Sequence, residues 1–297
     1  MQQPFVLEHK TGHICGRFYA MASPCELLID TDDMLVAQQL VALAYQETKR
    51  IEQKFSRYLP DNIVHQINSA EGNPVAIDDE TFKLLSFADT CYQISQGMFD
   101  ITSGVLRKAW RFDGSDKLPD DSLVQDLMPF IGWQKIHFDQ HQLRMPKGYE
   151  LDFGGIGKEY AVDKVAQVCL QAQPTISILI NFGGDIQITR ARDGQQPWVI
   201  GIENPLNQDK AVKTLSLYHG GMATSGDSRR YLLKNGERYS HILNPHTGYP
   251  VKNAPRSVTV IAEHCIQAGL LATLALLQGE QAEAFLKQQQ VQHWCMR

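Results

Sequence analysis

LDFGGIGKEYAVD, residues 151–163, sets Asp152, three glycines (Gly154, Gly155 and Gly157) and Lys158 just ahead of a stretch with helical spacing. Tyr160, Ala161, Val165, Ala166 and Val168 supply the apolar face of that stretch. Glycines let backbone come close to a ligand. The free N–H groups at a helix start favour an anion such as phosphate. With a carboxylate and a cation at the same bend, the pattern points to a phosphate-bearing ligand, with a metal ion beside it. It is also the pattern of an ordinary packing turn. Asp152 reads first as a helix cap, with a metal ligand as the alternative.

Working outward, residues 158–172 form the helix. TISILIN, 175–181, reads as a buried strand, and the GGD turn at 183–185 leads into a second strand, IQIT. Further strands are expected near 198–203, 214–218 and 257–262. Asn235-Gly236 marks a hairpin between β-like runs at 229–243. Helices at 264–277 and 280–290, split near Gly279, end the chain. On the N-terminal side, 25–30 reads as a strand and 33–55 as a long helix. Val36, Leu40, Leu43, Ile51 and Phe55 share a stripe of that helix, with Glu47 as its one polar member. Pro60-Asp61-Asn62 turns into a short helix. A helix at 79–96, capped by Asp78 or Asp79, is followed by Gly97. Loops at 97–104 and 113–121, a helix at 121–128 and a short β pair near 135–145 complete the series. Hairpins interleaved with helices indicate an α+β fold in a single domain, 17–290, with no internal repeat.

The 297 residues carry 43% apolar and 21% charged side chains, as globular proteins do. A net charge of −5 with no basic stripe argues against a nucleic-acid partner. No run approaches the ~18 apolar residues of a transmembrane helix, so no membrane insertion is expected. The first residues lack a signal-peptide apolar run and include Glu8, His9, Lys10 and Arg17, so the expected location is cytoplasmic. Cys15, Cys25, Cys91, Cys169, Cys265 and Cys295 show no C-x-x-C spacing and read as reduced, mostly buried thiols.

Five polar, glycine-rich loops stand out: GMFDITSG (97–104), DFGGIGKEY (152–160), NFGGD (181–185), ATSGDSRR (223–230) and SHILNPHTGYP (240–250). P-loop, Rossmann, G-x-S-x-G and H-E-x-x-H patterns are all missing. Each loop residue also has a plain structural reading. His241 suits a hydrogen-bonded structural position and His246 a turn. Asp100 suits a cap, Asp185 an Asx turn, Thr273 a bond back to its own helix, and Ser225-Gly226-Asp227 a simple turn.

The ordered series FYAMASPCELLI, FSRYLPDNIVHQIN, GMFDIT, LDFGGIGKEYAVDKV, ILINFGGDI, WVIGIENP, ATSGDSRRY, SHILNPHTGYP and VTVIA resembles the ApbE family, the FAD:protein FMN transferases, over residues 17–279. GGIGKEYAVD, NFGGD and SHILNPHTG are its most specific pieces. The resemblance implies an ApbE-like, T-fold-like arrangement of mixed or antiparallel sheets flanked by helices. It also implies magnesium-dependent cleavage of FAD, transfer of FMN to a Thr or Ser hydroxyl of an acceptor protein, and release of AMP. Met21, Tyr58, Met98, Phe99, Asp100, Gly154, Tyr160 and Leu243 fall at FAD-contact positions. Gly157, through its carbonyl, and Thr273 fall at metal-ligand positions, and His241 matches the histidine tied to flavin transfer.

Departures are found at three places. Where the family reads A-D-x-x-[AD]-T, this chain has Ala268-Gly269-Leu270-Leu271-Ala272-Thr273, so the metal's main carboxylate is expected to be lost. Met21-Ala22-Ser23 replaces M-G-T, and Glu159 replaces a common glycine. Two alternatives to transfer therefore stay open: a protein that binds FAD whole, and hydrolysis of FAD with water as the acceptor.

Overall fold

A computed structural model describes residues 4–204, 207–227 and 230–297. Pro205 in WVIGIENP, and Ser228 and Arg229 in the 223–230 loop, lie outside the described residues. In chain order the elements are β1 (Val6–Lys10), β2 (His13–Ala20), β3 (Ser23–Ile29), α1 (Met34–Phe55), α2 (Ile63–Asn68), β4 (Val75–Ala76), α3 (Asp79–Ile94), α4 (Asp121–Leu127), β5 (His137–Phe138), β6 (Gln142–Arg144) and α5 (Gly157–Ala172). There follow β7 (Ile178–Phe182), β8 (Asp185–Ile188), β9 (Trp198–Asn204), β10 (Asn207–Leu217), β11 (Gly220–Gly226), β12 (Tyr231–Lys234), β13 (Glu237–Ser240), β14 (Ser257–Ala262), α6 (Cys265–Leu277), α7 (Ala282–Gln288) and β15 (Gln292–Met296).

An eight-stranded sheet in the order β1-β2-β3-β7-β8-β11-β14-β15 runs through the molecule, and every neighbouring pair is antiparallel. The period of two along its central strands sorts side chains to two faces. Ile178, Ile180, Phe182, Ala223, Val258 and Val260 enter the main core, which also takes the apolar stripes of α1, α5 and α6. On the other face Leu179, Ile186, Ile188 and Met222 pack against Trp198 and Ile200 of β9. The architecture is α+β, as expected, and the sheets are antiparallel throughout rather than mixed.

Local chemistry explains the helices. Asp33 caps α1, accepting from the Leu35 and Val36 amides at 2.8 and 3.2 Å, and Ala37, Leu40, Val41, Ala44, Ile51 and Phe55 bury one stripe. Asp78, the first of the two suggested caps, receives the Thr81 amide at 2.9 Å. α6 has no side-chain cap of its own. Asp163 of α5 supplies it, accepting from the amides of Cys265 and Ile266 at 2.9 and 3.0 Å. The hairpin at Asn235-Gly236 forms with both residues at positive φ, 53° and 81°. All six cysteines are free thiols, and five of them are buried. No described helix is long and apolar enough to cross a membrane.

Several elements depart from the sequence reading. β1, β2, β4, β11 and β15 were not anticipated, and β1 and β15 carry the sheet beyond 17–290 at its two edges. β11 reads GGMATSG, a composition that disfavours strands, yet it lies between β8 and β14. Its glycines serve packing, because a side chain at Gly221 would run into the backbone that begins α6. The 223–230 loop is therefore strand up to Gly226. The 280–290 helix shortens to α7, preceded by a 3₁₀ turn, Gly279–Gln281.

The Asp163 cap gives a direct test. Asp163→Ala should lower stability by about 1–3 kcal/mol, because it strips a charged acceptor from helix-start amides. Asp163→Asn, which keeps one acceptor oxygen, should lose less. Urea unfolding of the three proteins would measure this, and equal midpoints would refute the cap.

Candidate functional site

Three bends meet at one corner of the sheet. The β2–β3 turn passes through Met21 and Ala22 at φ 51° and 55°, with Ala20 paired to Ser23. The Met21 amide donates to Glu52 Oε1 at 2.6 Å, which holds the turn against α1. The β7–β8 turn uses Gly183 and Gly184 at φ 62° and 102°, and the Gly184 amide donates to Asn181 Oδ1 at 2.9 Å. Glycine takes both angles without steric cost, and at 102° Gly184 lies beyond the left-handed range of the neighbouring Met21 and Ala22. A Cβ on Gly183 would lie 3.1 Å from Ser23 Cβ and 3.7 Å from Lys158 Nζ, so both turns abut the start of α5. Lys158 Nζ pairs with the buried Asp185 Oδ2 at 2.8 Å. The Asx-type bond of this turn thus belongs to Asn181, and Asp185 is an ion-pair partner.

α6 brings Thr273 to the same region. Its hydroxyl hydrogen-bonds the Ser225 hydroxyl of β11 at 2.8 Å, so it does not simply bond back to its own helix. Gly157, the first residue of α5, is buried, and Glu159 follows on the same turn. Glu159 is only 9% exposed, and its Oε2 has no hydrogen-bond partner. Burial, with the charge of Asp185 adding to it, pushes the Glu159 carboxyl up to about 8. Among the described residues no group of three or more His, Cys, Asp or Glu side chains is arranged to hold a metal ion. A cation here would draw mainly on hydroxyl, carbonyl and ligand oxygens, with one carboxylate at most, which suits magnesium.

The expected flavin contacts lie around this corner and along its flank. Met98 is half-buried, and Phe99 is buried against Gly155, where a Cβ would meet its ring at 3.2 Å. Asp100 is engaged in its own loop. Its Oδ1 accepts from the Thr102 amide and hydroxyl at 2.8 and 2.6 Å, and its Oδ2 accepts from the Trp133 amide at 3.0 Å. It thereby sets the path of Met98 and Phe99. Gly154 donates its amide to Asp152 Oδ1 at 2.9 Å. Asp152 is accordingly a cap, and its other oxygen pairs with Arg107, with Arg57 3.7 Å away. Tyr160 donates its hydroxyl to Glu80 Oε1 at 2.9 Å and packs its ring edge-on to Phe55. Tyr58 is exposed, its hydroxyl taking a 2.5 Å bond from Arg107, with both Arg57 and Arg107 over its ring.

The 240–250 loop closes the flank. Leu243 packs on the second core of Val105, Leu106, Trp110, Val124, Leu127 and Leu232. Trp110 Nε1 donates to the Gly248 carbonyl at 2.8 Å. His246 is an exposed turn residue whose amide goes to Asn244 Oδ1 at 2.8 Å. A Cβ on Gly97 would lie 3.2 Å from its ring, which joins this loop to the one that carries Met98. His241 is half-buried, edge-on to Phe112, with Nδ1 3.2 Å from the Arg230 carbonyl. A carbonyl only accepts, so Nδ1 carries the proton and Nε2 the lone pair. Burial, reinforced by the charge of Arg230, holds this imidazole below the usual histidine range.

The arginine pair, Arg57 and Arg107, was missed in the sequence reading, which noted Glu159 only as a replaced glycine and Ser225 only as part of a turn. One signal was available for Glu159: with Val162, Ala166 and Cys169 it falls on the buried stripe of α5, where a carboxylate is out of place.

The ApbE family matches residues 21–295. An FAD:protein FMN transferase of Klebsiella pneumoniae is 30% identical over 279 residues, covering 91% of this chain and 84% of that protein. One from Haemophilus influenzae is 29% identical, covering 78% and 70%. The crystal structure of the ApbE protein of Thermotoga maritima superposes with a TM-score of 0.86 at 27% identity, over 98% of this chain and 94% of the other. Apo flavinyl transferase ApbE of Pseudomonas stutzeri gives 0.84 at 25% identity, over 99% and 92%. By its matching sequence and its fold, the chain belongs to the ApbE family.

Proposed function

We propose that this chain is an FAD:protein FMN transferase that works with Mg²⁺, places FMN on a Thr or Ser hydroxyl of an acceptor protein and releases AMP. One observation carries this reading: the start of α5 meets the Gly183-Gly184 bend at Lys158, and the buried Glu159 beside it, whose Oε2 has no hydrogen-bond partner, lies against α6 one turn from Thr273. The names of the relatives support it. FAD is assigned to Met21, Tyr58, Met98, Phe99, Asp100, Gly154, Tyr160 and Leu243, with Asp100 acting through the shape of its loop.

In the reaction the acceptor oxygen bonds to the FMN phosphorus. The bond from that phosphorus to the oxygen of the AMP phosphate breaks, and AMP leaves. The hydroxyl proton passes to Nε2 of His241, whose other nitrogen is held by the Arg230 carbonyl. Gly157 through its carbonyl and Thr273 through its hydroxyl would hold the magnesium ion, and the all-oxygen donor set fits a hard cation. When bound, that ion offsets negative charge on the pyrophosphate. The glycine bends keep side chains away from the phosphates, and the ring of Phe99 is held for the flavin side by the Asp100 loop.

The deciding experiment incubates the protein with FAD, Mg²⁺ and an acceptor bearing an exposed Thr or Ser. A mass increase of one FMN on the acceptor, with one AMP per transfer, is expected. FMN released free would favour hydrolysis, and intact FAD would favour a binding protein. Chelating the metal should stop transfer while FAD stays bound, as equilibrium dialysis would report.

His241→Ala should lower transfer by ~10²–10⁴-fold with little change in the Kd for FAD, since a general base acts mainly in the transition state. Wild-type turnover in that variant would make His241 structural. Because the base must be neutral and its pKa is lowered, activity should persist as pH falls and decline only at a midpoint below 6.5. A kcat/KM profile that already declines above 6.5 would contradict this.

A further inference from the structure

Two departures noted separately in the sequence, Glu159 and Gly269, face each other across the α5–α6 contact. A Cβ built on Gly269 would lie 2.7 Å from Glu159 Cγ, 2.9 Å from its Oε1 and 3.1 Å from its Cδ. The Glu159 side chain thus fills the space into which any side chain at 269 would project. Gly269 is a helix-interior glycine, a position where glycine is disfavoured, and room for Glu159 is the reason for it. We propose that Glu159 is the carboxylate ligand of the metal ion, delivered from α5 into the space that Gly269 leaves open on α6.

This assignment rests on the metal-dependent reading above and names the residue that completes its ligand set. Glu159 is nine-tenths buried, and its Oε2 has no partner. A carboxylate is not kept in such a place without a cation or donors to meet it. Its neighbour Lys158 makes no hydrogen bond to it, since that ammonium lies 2.8 Å from Asp185 and attracts Glu159 only through space. The surroundings are those of an oxygen-rich cation site. Thr273 lies one turn along α6 from Gly269, on the same side of the helix. The Ser225 hydroxyl lies 2.8 Å from that of Thr273. Gly157 lies in the first turn of α5 with Glu159. A magnesium ion bound through one carboxylate, neutral oxygens and substrate phosphates is a common arrangement. Glu159 and Gly269 are therefore one feature: the carboxylate has changed helices, and the residue it displaced has become glycine.

The test uses the full chain saturated with FAD and Mn²⁺ as the probe, with free Mn²⁺ counted by its paramagnetic resonance signal. Glu159→Gln keeps the shape of the side chain and removes its charge. It should weaken Mn²⁺ binding by at least tenfold, while the metal-free melting temperature stays level or rises, because a buried carboxyl with no hydrogen-bond partner on Oε2 has gone. Gly269→Asp alone should crowd Glu159 and lower the melting temperature. The paired change Glu159→Gly with Gly269→Asp should return Mn²⁺ affinity to near the wild-type value. Wild-type Mn²⁺ affinity in Glu159→Gln would overturn the assignment and leave the transferase reading standing. A wild-type FAD complex that takes up no Mn²⁺ would overturn the metal-dependent reading, and the assignment with it.

Discussion

The buried contact between Lys158 and Asp185 is the constraint on which the site depends. At 2.8 Å it ties the first turn of α5 to the strand that leaves the Gly183-Gly184 bend. Asp185 has been taken from water and Lys158 is half-buried, so the carboxylate is not satisfied without the lysine. With Lys158 turned to the sheet, the next residue, Glu159, is turned toward α6, and Gly157 lies beside the bend. The capping of α6 by Asp163 comes from the same helix, four residues on from Glu159. α5 thus sets the position of α6 and, through it, the height of Thr273 above β11.

Small residues make that arrangement possible. Gly183 lets the turn meet Ser23 and Lys158, and Gly221 lets α6 begin directly on the sheet. Gly269 leaves room for a carboxylate between two helices. Each of these close approaches lets a bend or helix pack directly on its neighbour. The flank is built differently. There aromatic and aliphatic groups of the 97–104 and 240–250 loops are held by buried hydrogen bonds such as those of Asp100 and Trp110. A polar corner beside an apolar flank matches a ligand with phosphates at one end of a flat ring.

Much of the fold was legible because its signals are local. The α1 stripe with its Asp33 cap, the Asn235-Gly236 turn, and the strands at 178–182 and 257–262 follow from spacing and turn chemistry within a few residues. β11 was not legible, since GGMATSG has no strand-forming side chains and is held by partners on both sides. The edge strands β1 and β15 were missed for a related reason: each is defined by a neighbour distant in the chain or by a short mixed pattern. Likewise the roles of Asp152 and Asp185 were ambiguous until their partners, Arg107 and Lys158, were known.

What the sequence determined by itself was the set of bends, the helices between them and the family resemblance, because glycine placement and apolar period are properties of short segments. Only the tertiary structure decided which of the polar residues meet. Residues 159 and 269 are 110 positions apart, and nothing in either segment indicates that one fills the space of the other. Read along the chain, Gly269 is a missing carboxylate. In the folded protein a carboxylate lies against it, because packing fills volume without regard to which helix supplies the atoms.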